Sequence, residues 1–194
     1  MSPRRDLEII GELVPKGSRV LDLGCGNGEL LAHLQAHRGC SGYGIEIDDA
    51  NVLECARRGV DVIQLNLEDG LAIFEDRSFD VVLQLETLQH LRNTERMLRE
   101  TARVGRIGIV SLPNFAHWPN RLRVASGRMP VTKALPYEWY DTPNIRVGTY
   151  ADFEVLARKD GLRILDAFGI QDGEVVRRWP NLLASVAVFK FERG

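Results

Sequence analysis

A doubly wound α/β domain is the fold predicted by this sequence, and three observations predict it. Short apolar, β-rich runs alternate with helical patterns along most of the chain, the sequence form of a mostly parallel sheet with helices on both faces. The first of these runs breaks into glycines at alternate positions, Gly24, Gly26 and Gly28, and an apolar helical pattern follows at once. At 194 residues the chain suffices for one domain with a substantial core and is short for two ordinary ones, so 1–194 is expected to form a single domain.

The elements follow in order. An amphipathic pattern of Leu7, Ile9, Ile10 and Leu13 predicts a helix over 6–13. Apolar runs predict strands at 20–23, 42–47, 60–65, 79–85, 106–112, 162–168 and 185–191, seven in all. Between them, helices are expected at 29–37, 49–58, 94–104 and 150–160. Asp48 and Asn93 are suited to cap the second and third of these, and Thr149 with Asp152 three residues on is a variant of the capping box. Gly105 and Gly161 then stop helices. No helical pattern separates the last run from the strand before it, so that last strand is expected to enter antiparallel, at or near an edge.

Residues 115–148 are too long for a simple connection between a strand and a helix and read as an insertion. The segment contains half of the eight prolines and the aromatics Phe115, Trp118, Tyr137, Trp139 and Tyr140. Rigid turns with large apolar side chains suit a pocket wall or a partner surface, and equally the packing of the insertion against its own domain.

Charge excludes some partners. Lys plus Arg number 25 against 27 for Asp plus Glu, and a net charge of -2 provides no polyelectrolyte field for nucleic acid or an anionic membrane. The first residues pass straight into the amphipathic pattern without an apolar stretch of signal-peptide or membrane-span length, so a cytoplasmic location is expected. Three cysteines with no CxxC pair point to reduced thiols rather than a disulfide framework or zinc site.

The glycine turn sets the chemistry. A dinucleotide fingerprint needs its third glycine five positions after the first, where this chain has Glu29; Gly28 comes one residue early. A carboxylate at that helix start also opposes a pyrophosphate but not a cationic ligand. Glu46, which ends the next strand, is an acceptor able to take two hydrogen bonds from a diol; a capping role beside Asp48 is the alternative.

Asp22, Gly24, Gly26 and Gly28, followed by Glu46, resemble motifs I and II of class I S-adenosylmethionine-dependent methyltransferases. The resemblance implies a Rossmann-like methyltransferase fold. It also implies S-adenosylmethionine or S-adenosylhomocysteine as cofactor, with the methionine part on the glycine loop, its ammonium near Asp22 and the ribose hydroxyls on Glu46. The carboxyl ends of the strands complete the expected cofactor set: Asp22, Gly24, Cys25, Gly26, Gly28, Glu46, Ile47, Asn66, Leu67 and Leu85. Asn66 stands where the family usually has an acid near adenine, and a polar turn residue is the competing reading.

Methyl transfer from a sulfonium needs alignment and water exclusion more than a catalytic dyad, so no catalytic residue is assigned. His90 and His117 are the candidate bases, each with an ordinary loop or helix-start role as the alternative. His33 and His37, four apart, lack the Glu and third ligand of a metal site, and no metal is expected. The Asn-Pro-Pro-aromatic sequence of related enzymes acting on nucleic-acid amino groups is absent after the fourth strand, where Leu85-Glu86-Thr87-Leu88 stands.

A narrower resemblance lies in Pro113 to Trp118, in Gly127 to Ile145, in Arg5 to Ile10 and in Trp179-Pro180-Asn181-Leu182: these are similar to the methionine biosynthesis MetW family, nearly end to end. Asn27 and Asn66 replace acids common there, and Ala184-Ser185-Val186 departs from the usual Gly-Glu-Ile. The resemblance implies a methyltransferase-like protein of methionine biosynthesis that acts with a homoserine O-acyltransferase. A stand-alone methyltransferase of a small-molecule acceptor is the alternative.

Overall fold

The computed structural model describes residues 3–194, with side chains from Arg5 onward. In chain order the elements are α1 (Pro3–Leu13), β1 (Arg19–Leu23), α2 (Glu29–Arg38), β2 (Ser41–Glu46), α3 (Asp49–Arg57), β3 (Val62–Gln64), β4 (Phe79–Leu85), α4 (Thr94–Val104) and β5 (Gly105–Pro113). They continue as α5 (Trp118–Ala125), α6 (Tyr150–Lys159), β6 (Leu162–Gln171), β7 (Glu174–Val176), α7 (Pro180–Leu183) and β8 (Val186–Arg193). Single 3-10 turns occupy Leu67–Asp69 and Leu88–His90. Among the described residues no helix is long and apolar enough to cross a membrane.

One sheet of order β3-β2-β1-β4-β5-β8-β6-β7 runs through the molecule, parallel from β3 to β5. It has eight strands where the sequence predicts seven. The extra one, β7, forms a hairpin with β6: Gln171 pairs with Glu174 across Asp172 and Gly173, both in the left-handed region (φ 51 and 78). That is the backbone a tight two-residue hairpin turn requires. β8 is antiparallel as expected, but it lies between β5 and β6, so β6 and β7 form the edge.

The capping assignments are borne out. Asn51 donates its amide to Asp48 Oδ1, Arg96 to Asn93 Oδ1 and Asp152 to Thr149 Oγ1, at 3.0–3.1 Å. Each satisfies an amide that the first helical turn leaves without a partner. Two helices were not expected from periodicity: α5 inside the insertion, begun by Pro119 near its start, and the single turn α7.

The two faces of the sheet bury separate cores. Alternation along β1 sends Val20 and Asp22 to one side and Leu21 and Leu23 to the other. α1, α2 and α3 cover the first face through Ile10, Val14, Leu30, Leu34 and Cys55. α4 and α6 cover the second, where Phe153 stacks on Phe189 at 4.3 Å between ring centres. One polar pair crosses this second core, Gln84 Nε2 donating to Thr101 Oγ1 at 2.7 Å, and the hydroxyl donates onward to the Met97 carbonyl. Burying a charge-rich segment here is costly, so the polar motif residues gather instead at the carboxyl ends of β1, β2 and β4.

Candidate cofactor cleft

A cleft of about 380 Å³ opens at those strand ends, within the size range of small-molecule sites. Six of the expected residues line it: Gly24, Glu46, Ile47, Asn66, Leu67 and Leu85. Ile45, Leu65, Glu68, Glu86, Thr87, His90 and Leu91 complete the wall. Ile45, Leu65 and Leu91 escape sequence reading because apolar residues beside strand ends look like any other core positions. The remaining expected residues stand outside the lining: Asp22 on β1, and Cys25, Gly26 and Gly28 in the turn between β1 and α2.

The turn is tied down by backbone. Gly24 and Cys25 both donate to the Ile45 carbonyl, at 2.8 and 3.0 Å. Gly24, Gly26 and Gly28 all adopt positive φ (75, 54 and 76), which L side chains rarely tolerate. Their surroundings differ. A Cβ on Gly24 would lie 2.8 Å from Thr87 Oγ1, and one on Gly28 would lie 2.9 Å from Cys55 Sγ, whereas a Cβ on Gly26 would meet nothing. Gly24 and Gly28 are thus demanded by packing; Gly26 faces open space.

Glu46 gathers three amides. Its Oε2 accepts from Gly26 at 2.9 Å, and its Oε1 accepts from Ile47 and Asp48 at 2.8 and 3.0 Å. The carboxylate is thereby fixed at the cleft wall. Asp48, not Glu46, caps α3.

Asp22, on β1, is 3% exposed and accepts no hydrogen bond from the described residues. Burial, and secondarily the Glu46 charge, pushes its carboxyl up to about 7. Cys25 and Cys55 bring their sulfurs to 3.8 Å, and Cys55 Sγ also lies 3.2 Å from the Gly26 carbonyl. Both thiols are free, and burial first, with the nearby acids adding, raises their pKa.

Asn66 takes the turn role weighed for it: its Oδ1 accepts from the Glu68 amide at 3.0 Å, and the residue lines the cleft. Thr87 Oγ1 donates to the Leu23 carbonyl at 2.8 Å and so locks the end of β4 to β1. Glu86 has φ 50, a strained value for a residue with a Cβ, at the cleft mouth. It stays water-accessible, yet neighbouring protein atoms, and then Asp6 of α1, raise its carboxyl pKa.

The two candidate bases separate. His90 lines the cleft, and its Nδ1 lies 3.2 Å from the Pro143 carbonyl, which makes that nitrogen a donor, while Nε2 has no partner among the described residues. His117 is buried beside α5, away from the cleft lining, and desolvation lowers its pKa. The rings of His33 and His37 stack at 4.4 Å. Among the described residues no group of three or more His, Cys, Asp or Glu is placed to ligate a metal.

Four of the insertion's five aromatics stay at the surface; Phe115 is half-buried. Trp139 and Tyr140 are each 71% exposed and meet edge to face at 5.7 Å. Trp118, Leu122, Met129 and Tyr137 are exposed as well. Asn114 anchors the start of the segment: it is 1% exposed, its Nδ2 donates to the Ala184 and Asn181 carbonyls, and its Oδ1 accepts from Ala116 and Tyr150.

The family described as "Methionine biosynthesis protein MetW" matches residues 4–191 of this chain. The chain belongs to the MetW family. It is 39% identical over 97% of its length to "Bifunctional methionine biosynthesis protein MetXA/MetW" of Rhodopirellula baltica, and spans 32% of that longer protein. Solved structures agree with the fold that MetW membership implies. A SAM-dependent methyltransferase from Thermotoga maritima, described as a possible histamine N-methyltransferase, superposes with TM-score 0.71 at 20% identity, covering 98% of this chain and 89% of the other. An S-adenosylmethionine-dependent methyltransferase from Mesorhizobium loti gives 0.72 at 16% identity, covering 97% and 98%. This MetW-family chain is therefore a methyltransferase-like protein of methionine biosynthesis with the class I methyltransferase fold.

Proposed function

We propose that the cleft binds S-adenosylmethionine or S-adenosylhomocysteine and that the protein acts with a homoserine O-acyltransferase. The observation that carries the first half is Asp22: a buried carboxyl with no hydrogen bond from the described residues, on the strand that leads into a turn whose Gly26 faces open space, is matched to a ligand ammonium. Glu46 and Asn66 are the groups for the ribose and adenine ends, and Ile47, Leu67 and Leu85 supply apolar wall. When bound, S-adenosylmethionine supplies an electrophilic methyl group. The residues of this chain orient the ligand and exclude water.

Two observations support the partner. The Rhodopirellula relative carries MetXA and MetW in one chain. The exposed pair Trp139 and Tyr140 offers rigid aromatic anchors of the kind that dominate protein interfaces. A second reading, a stand-alone methyltransferase of a small acceptor, rests on His90, whose free Nε2 stands at the cleft wall as a base.

Calorimetric titration with S-adenosylhomocysteine, with NAD as control, tests the cofactor; a trace flat for both removes it. Co-purification with the acyltransferase, with the acylation rate measured with and without cofactor, tests the partner. Trp139→Ala is expected to weaken that association at least tenfold and leave S-adenosylhomocysteine binding unchanged. Labelled methyl transfer to a metabolite extract, abolished by His90→Ala, would favour the stand-alone enzyme.

A further inference from the structure

Beyond the cofactor cleft, a second cavity of about 480 Å³ lies behind the Leu88–His90 turn. It is bounded by the start of α4, the end of β5 and the first turns of α6, and the segment Asn144–Gly148 of the insertion forms its roof. One helical turn divides the two spaces: Thr87, His90 and Leu91 face the cofactor cleft, whereas Leu88 and Gln89 face the second cavity. The roof is strapped to that turn, since the Ile145 and Arg146 amides both donate to the Gln89 carbonyl at 2.9 and 3.0 Å.

The lining is apolar, with Leu112, Phe115, Phe153 and Leu156 prominent, but it contains an unmet polar demand. Gln89 is 7% exposed; its Nε2 donates to the Glu86 carbonyl at 2.7 Å, while its Oε1 is buried with no partner among the described residues. Thr94 Oγ1, on the same wall, is also buried without a partner. A buried acceptor without a donor is destabilising and is rarely retained without a compensating partner. Charges at the lining balance, Arg92 and Arg146 against Glu95 and Asp152.

We propose that this cavity is a second small-molecule site, for a neutral amphiphile with an apolar body of several carbons and a hydroxyl or amide N–H that donates to Gln89 Oε1. The volume suits a small molecule. Balanced charge disfavours an ionic head group, and the orphan amide oxygen of Gln89, which can only accept, selects a donor over an ether or alkane.

The probes are 1-hexanol and its isomer 1-methoxypentane, which differ in the donor alone, followed by ligand-observed NMR. The wild-type chain is expected to bind hexanol about fivefold more tightly, the value of one net hydrogen bond. Gln89→Leu should erase that preference while still binding both, and Leu156→Trp, at a partly exposed wall position, should remove both. If Gln89→Leu does not fold, Gln89→Met, closer in shape and without the amide oxygen, supplies the comparison. Hexanol binding should persist under saturating S-adenosylhomocysteine, and since the probe is read without any cofactor, a failed cofactor titration leaves this test intact. Absence of binding, equal affinity for the two probes, binding unaltered by Leu156→Trp, or displacement by S-adenosylhomocysteine would each overturn the proposal.

Discussion

The backbone amide of Gly26 donates to Glu46 Oε2 at 2.9 Å, joining the turn after β1 to the end of β2. Together with the Ile47 and Asp48 amides it makes Glu46 a fixed acceptor and a brace for the loop. Glu46→Ala is therefore expected to weaken S-adenosylhomocysteine binding by about 10- to 100-fold and to destabilise the fold by about 1–3 kcal/mol. Calorimetry and urea unfolding read the two effects separately; a variant that binds as tightly as wild type would exclude Glu46 from the ligand.

Asp22 is expected to make cofactor binding depend on pH. Its folded pKa of about 7 lies above the ordinary 3.8, so the native state favours the proton. The stability this contributes is complete below the unfolded pKa and is lost as pH rises through about 7. A ligand ammonium favours the ionised form instead. Affinity for S-adenosylhomocysteine should rise with pH, approaching tenfold per unit, and level off above about 7. Asp22→Asn should flatten the profile, as measured by calorimetry in buffers of different ionisation enthalpy.

The glycines of one turn should fail in different ways. Gly28→Ala places a Cβ 2.9 Å from Cys55 Sγ on a backbone of φ 76, and is expected to cost about 2–4 kcal/mol. Gly26→Ala meets no neighbour and should cost about 1–2 kcal/mol, the left-handed backbone alone, while obstructing the ligand. Thermal unfolding alongside cofactor titration distinguishes them: the reverse ranking of stability loss would contradict the packing described.

Asn114 ties the insertion to α6 and α7 through donors and acceptors that are buried together. Asn114→Ala leaves several of them unmatched and is expected to destabilise the protein by about 2–4 kcal/mol in urea unfolding. Asn114→Asp should recover little, because a carboxylate cannot donate to the Ala184 and Asn181 carbonyls.

Some features escaped sequence reading although their signal was there. Asp172-Gly173 is a strong two-residue hairpin signal, and it does make the β6–β7 turn; the short flanking run Glu174–Val176 is too brief to stand out by alternation. Pro119 near the start of α5 is a helix-entry signal, masked by the aromatic and proline content of the segment around it.

What the sequence by itself determined is local: the strand-turn-helix around Gly24 to Gly28, the caps at Asp48, Asn93 and Thr149, and the alternation that gives the sheet two covered faces. Each depends on residues within a few positions of one another, where backbone sterics and capping bonds act. Only the tertiary structure decided that β8 enters between β5 and β6, that the Gly26 amide meets Glu46, that Cys25 and Cys55 face each other, and that Gln89 and Thr94 share a cavity wall with Phe153. Those relationships join segments tens of residues apart, and they are fixed by how whole elements pack rather than by any preference that a short stretch of chain expresses.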